Sequence, residues 1–93
     1  MSVSNGRAVI DPDAVLDFTW DWAAWLRSGE TITAHTLSGT TGITVGASSA
    51  TTTSVTCWIS GAVLGSKPAV TCHITTSAGR EDDRTLTFTV MER

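Results

Sequence analysis

The sequence predicts an all-β fold: a single immunoglobulin-like β-sandwich of six to seven short antiparallel strands, with one short helical turn near residues 23–28. Three observations carry that expectation. Thr and Ser together make up 27 of the 93 residues, and β-branched Thr suits a pleated, half-wet surface. Several segments alternate apolar and polar residues with period 2, the pattern of a strand buried on one face. Turn signals recur about every 8–12 residues, the spacing of a sandwich, with a small barrel as the alternative architecture.

A chain of 93 residues holds one domain. Residues 1–10 are expected to form a flexible N-terminal arm and residues 11–93 the sandwich. Asp11-Pro12-Asp13 separates the two, because Pro12 fixes its own φ and biases Asp11 to an extended conformation. The strongest alternation follows: Ala14, Leu16, Phe18, Trp20 and Trp22 share one face, with Asp17, Thr19 and Asp21 opposite. Ala23 to Glu30 favours a single helical turn stopped at Gly29. A second strand is expected over Thr31–Leu37 and a short third over Ile43–Val45, with Ser38 to Gly42 turning between them. Gly46 to Thr53 is low in complexity and reads as an extended edge or a surface loop. Ser54–Ser60 and Ala69–Thr76 are firm strands, with Val55, Cys57, Ile59 and Val70, Cys72, Ile74 pointing inward. Between them, Gly61 to Pro68 forms a loop. Ser77 to Arg80 reads as a hairpin, acidic Glu81-Asp82-Asp83 follows, and Leu86, Phe88 and Val90 mark the last strand.

Charge excludes more than it assigns. The net charge is -3 and the pI about 5.0, so no basic excess exists to release counterions from nucleic acid. No apolar run reaches the ~18–20 residues of a membrane span, and no secretory signal pattern is visible. Neither nucleic acid nor membrane is therefore an expected partner.

The chemistry-bearing residues point away from catalysis. Cys57 and Cys72 read as free core thiols rather than a bridge, since nothing marks an oxidising compartment. Cys72 and His73 point to opposite faces of one strand and cannot share an ion, and Cys57, Cys72 and His35 fall one ligand short of a closed site. Along a strand, Asp13, Asp17 and Asp21 lie about 13 Å apart at nearest, too far for an acid–base pair. Glu81-Asp82-Asp83 reads as a solubilising cluster before a Ca²⁺ site. There is no G-x-S-x-G elbow, and Gly65-Ser66-Lys67 lacks the frame of a phosphate loop. The expectation is no enzyme, no catalytic or metal-binding residue and no cofactor.

Four tryptophans are the surplus. A small domain has little interior room for four indoles. One or two of Trp22, Trp25 and Trp58 are thus expected at the surface, where an exposed Trp anchors an interface or stacks on a sugar.

Ile10-Asp11-Pro12-Asp13-Ala14-Val15-Leu16-Asp17-Phe18-Thr19-Trp20-Asp21-Trp22, followed by Trp25-Leu26 and Gly29-Glu30-Thr31-Ile32, resembles a group of small tailed-bacteriophage proteins. Their openings read K-D-P-D-x-x-L-D-Y, then D-W-x-x-W-L and G-x-T-I. Ile74-Thr75-Thr76-Ser77-Ala78-Gly79-Arg80-Glu81-Asp82-Asp83-Arg84 is similar to their I-T-T-x-x-G-R-x-x-x-R ending. The likeness runs from about Ile10 to Val90, with Ile10 in place of a common Lys and Phe18 in place of a common Tyr.

The resemblance implies a non-enzymatic virion structural protein assembled in the host bacterial cytoplasm. A capsid decoration or head-associated accessory protein is the first expectation. The alternative is a neck, tail or fibre component, including a carbohydrate- or host-surface-binding module. Expected partners are other virion proteins (major capsid, portal or neck, tail) and a second copy in a homo-oligomer or lattice. The candidate contact residues are Val9, Ile10, Asp11, Pro12, Asp13, Trp22, Trp25, Leu26 and Trp58.

Overall fold

The computed structural model describes residues 2–3 and 6–92, with residues 2–3 described by backbone alone. Among them are eight strands. These are β1 (Ser2–Val3), β2 (Gly6–Ile10), β3 (Leu16–Asp21), β4 (Ile32–Gly39), β5 (Thr44–Ala50), β6 (Ser54–Ser60), β7 (Ala69–Thr76) and β8 (Glu81–Val90). They form two four-stranded sheets, ordered β1-β3-β6-β5 and β2-β8-β7-β4. The runs β3-β6-β5 and β8-β7-β4 repeat the BED and GFC order of an immunoglobulin sandwich.

Alternation placed the inner faces well. Phe18, Trp20 and Trp22, Val55, Cys57 and Ile59, Val70, Cys72 and Ile74, and Leu86, Phe88 and Val90 form one buried cluster. Phe18 meets Phe88 across the two sheets edge-on, centroids 5.2 Å apart. The outer faces carry Thr pairs, with Thr19–Thr56 and Thr71–Thr85 hydroxyls each 2.9 Å apart across neighbouring strands. Cys57 and Cys72 are buried and free, on strands of different sheets.

Some elements differ from the sequence expectation. Residues 6–10, read as part of a flexible arm, form β2, which runs parallel to β8 with Ile10 opposite Val90 and buried. Met1, Ser4 and Asn5 of that arm lie outside the described residues. Residues 44–50 are an edge strand, because only one neighbour, β6, has to be satisfied and little apolar surface is needed. Over 23–28 the expected short helical turn is a single turn and not a longer helix, with the Trp25 and Leu26 amides both donating to the Trp22 carbonyl at 2.9 and 3.0 Å. The last strand begins at Glu81, so the acidic triplet lies inside β8 rather than before it.

Candidate functional site

Strand direction divides the surface into two ends. One collects the turn 22–31, the β5–β6 turn and the β7–β8 hairpin. The other collects the β2–β3, β4–β5 and β6–β7 loops and the residues after β8.

The first end is held by charge. Glu30 is buried, and its carboxylate accepts from the Arg27 amide (2.9 Å), the Thr76 hydroxyl (2.5 Å) and Arg80 Nε and Nη2 (2.9 and 2.5 Å). The Arg80 guanidinium, helped by those other donors, holds the Glu30 carboxyl down at about 2. Arg80 also lies 3.9 Å over the Trp25 ring and donates to the Trp25 carbonyl. Trp22 is buried, and its indole N–H donates to Asp82 at 2.9 Å beneath Arg84, 4.8 Å above the ring. Arg84 in turn donates to the Asp21 carbonyl. Sequence reasoning missed the Glu30–Arg80 pair, because 50 residues separate them and no local pattern links them.

On the outer face of the second sheet, His73 sits between two carboxylates, with Nδ1 on Asp83 (2.5 Å) and Nε2 on Glu81 (2.8 Å). Asp83 first and Glu81 second raise its pKa. Both ring nitrogens face carboxylate acceptors, an arrangement that favours the protonated ring over a free base. The core thiols are equally unsuited to nucleophilic work: burial raises both, Cys72 to about 12. Among the described residues no His, Cys, Asp and Glu group is arranged to hold a metal ion.

The second end is apolar and open. All seven exposed large apolar side chains among the described residues lie in this half: Val9, Val15, Leu16, Trp58, Val63, Leu64 and Met91. Val15 is 61% and Leu64 56% exposed. The β4–β5 and β6–β7 loops close on each other there: the Val63 amide donates to the Gly42 carbonyl at 3.1 Å. Gly42 has φ 96°, and a Cβ on it would lie 2.8 Å from Ser66 Oγ, so the contact requires glycine. Trp58 stands on the outer face of β6, opposite Asp17 of β3, and is 48% exposed. A Cβ on Gly46 would come within 3.1 Å of the Trp58 carbonyl.

The candidate contact residues divide between these ends. Val9, Asp11, Pro12, Asp13 and Trp58 belong to the apolar half, where Val9, Asp13 and Trp58 are exposed and Asp11 and Pro12 half-buried. Trp22, Trp25 and Leu26 belong to the charged end; Trp25 and Leu26 are half-buried. Ile10 and Trp22 are core residues. A shallow groove of about 360 Å³ between the β4 and β5 edges, lined by residues including His35 and Thr51, holds no acid–base pair.

A family model described as podophage GP4 fiber-tail adaptor protein gp77 matches residues 11–89. The chain belongs to that family. It is therefore a bacteriophage virion structural protein, and a tail- or fibre-associated role fits the family better than the capsid decoration expected first. Among curated proteins nothing matches the sequence. Among solved structures, the cysteine protease inhibitor EhICP2 from Entamoeba histolytica is similar, with a TM-score of 0.60 at 8% identity over 95% of this chain and 87% of that one. At that identity the likeness is one of fold alone.

Proposed function

We propose that this protein is a non-enzymatic adaptor at the junction of phage tail and fibre, binding other virion proteins through its surface loops and holding no cofactor. The family match over residues 11–89 carries the reading. The structure supports it chemically: Glu30 with Arg80, and His73 with Glu81 and Asp83, are engaged in ion pairs within the chain, and both thiols are buried. The charged end is built as a rigid support, whereas the apolar half presents side chains with no partner surface in this chain.

Quantitative mass spectrometry of purified particles tests the reading. An adaptor is expected at about six to a few dozen copies, as the symmetry of a tail requires. Hundreds of copies would favour decoration of the shell, and absence from the particle would end the structural reading.

A second reading rests on Trp58 alone. An exposed indole on a sheet face otherwise made of Thr, Ser and Asp is a surface on which a sugar ring stacks. Titration with host glycans, followed by Trp fluorescence, should then give a response that Trp58→Ala removes. No response in the intact chain would leave Trp58 to protein contact.

A further inference from the structure

A sheet edge is a row of unpaired N–H and C=O groups, and folded proteins blunt such edges by shortness, charge, proline or a bulge. The two sheets end on β1 and β5, and on β2 and β4. β1 is two residues long. β2 carries the exposed Arg7. β5 shifts register between Val45 and Ser48, a bulge that twists an edge away. β4 has its own irregularity between Ile32 and Ala34, but beyond it residues 34–39 run in unbroken register against β7. That stretch also lacks charge: from residue 31 to residue 66 the chain holds no Asp, Glu, Lys, Arg or Pro.

Ladder parity shows which groups stay open. The Thr40 amide donates to the Ala69 carbonyl at 3.0 Å, so Ser38, Thr36 and Ala34 are the members of β4 that bond to β7. His35, Leu37 and Gly39 turn their backbone groups away from β7, and among the described residues no turn or loop closes on them. Thr36 and Ser38 are exposed, opposite His73 and Thr71 on the outer face.

Main-chain chemistry names the occupant, because a line of alternating donors and acceptors is satisfied by another extended backbone. Charge and symmetry name its source. A chain of net charge -3 repels its own copies, and least where no charge faces the contact. Antiparallel pairing about a two-fold axis is self-complementary. Centred on Leu37, it sets Leu37 against Leu37 of the second copy and His35 against Gly39 of the second copy, closing about six main-chain bonds. The same register puts Thr36 opposite Ser38 of the second copy. That is a hydroxyl pair of the kind formed within the sheets at Thr19–Thr56 and Thr71–Thr85.

We propose that β4 pairs with β4 of a second copy in an antiparallel dimer centred on Leu37, which joins the two β2-β8-β7-β4 sheets into one. The proposal stands apart from the adaptor reading, since it invokes no other virion protein.

Sedimentation of the full-length chain over a concentration series tests it, with thermal melting as the check on folding. The wild type should show a monomer–dimer equilibrium. Thr36→Lys with Ser38→Lys sets lysine directly against lysine on both sides of the axis and should weaken the dimer at least tenfold. Thr36→Lys with Ser38→Glu sets lysine against glutamate in the same register and should restore it. Ala24→Lys with Ser28→Lys adds the same charge to the turn 22–31 and should dimerise as the wild type does. Should the double-lysine variant lose its thermal transition, amide exchange of the wild type decides instead, with protection at residues 35, 37 and 39 rising with concentration. A wild type that stays monomeric at millimolar concentration would overturn the proposal and leave the edge to a strand of another protein. A dimer indifferent to the double-lysine change, or one that Lys–Glu pairing fails to restore, would overturn it too. So would an equal loss from the Ala24, Ser28 control, or an assembly larger than a dimer, because a two-fold contact closes on itself.

Discussion

The two ends of this sandwich are built on opposite principles. At one, a buried carboxylate, two arginines and two tryptophans interlock through hydrogen bonds and cation–π contacts within the chain. At the other, loops are braced by a few backbone bonds while Val15, Val63, Leu64 and Met91 face outward. The difference separates stability from binding. Substitutions of Trp22, Glu30 or Arg80 at the charged end should destabilise the protein, whereas substitutions of the exposed side chains at the apolar end should leave folding intact and cost assembly.

The largest effect is expected at Trp22, whose ring belongs to the core and whose indole N–H is bonded to Asp82. Trp22→Ala should cost about 3–5 kcal/mol of stability in denaturant titration, as truncation of a buried aromatic does. A cost near zero would place Trp22 outside the cooperative core.

Glu30→Ala comes next. It leaves Arg80 and Thr76 without their acceptor in a half-buried site, so the melting temperature should fall by on the order of ten degrees in differential scanning calorimetry. Acid sharpens the same point. The Glu30 pKa is depressed from 4.5 to about 2, so its contribution is complete above the unfolded value and drains away as pH falls from about 4.5 to 2. Glu30→Gln should flatten the stability profile across that window.

His73 acts with the opposite sign and a smaller magnitude. Asp83 and Glu81 raise its pKa above the ordinary 6.5. Its contribution is therefore full below 6.5 and is lost as pH rises through the folded value. Because the group is largely solvated, the loss should be slight, and His73→Asn should erase it in melting curves taken from pH 6 upward. An unchanged slope would show that the two carboxylates do not hold the ring in solution.

The smallest stability change belongs to the apolar end. Leu64→Ser should stay within about 0.5 kcal/mol of the wild type, because the side chain is already in water. A larger loss would mean that the loop is packed more tightly than its exposure shows, and the comparison would blur.

The sequence disclosed these regions unequally. Alternation reads burial directly, so β6, β7, the latter half of β8 and β3 apart from Leu16, which shares the parity of Phe18 yet is exposed, were legible, and parity alone put Trp58 on the outside. β2 was hidden because Gly6-Arg7-Ala8-Val9-Ile10 contains one fully buried side chain and borrows its order from β8. β5 was half legible: Ile43–Val45 read as a strand, while Gly46–Thr53 stayed between an extended edge and a loop, because an edge strand needs no second apolar face. The Glu30–Arg80 pair and the gathering of Val15, Leu64 and Met91 at one end both depend on register between distant strands. No local pattern encodes that register. Family resemblance supplied the virion setting, and the match to residues 11–89 favours a tail- or fibre-associated role over decoration of the shell.

Hydrogen–deuterium exchange on the chain free and bound to particles tests the division between the ends most directly. The account predicts added protection in segments 11–16, 40–43 and 61–66, with segments 22–31 and 77–84 unchanged. Protection appearing instead at 22–31 and 77–84, with the apolar loops still exchanging freely, would contradict it.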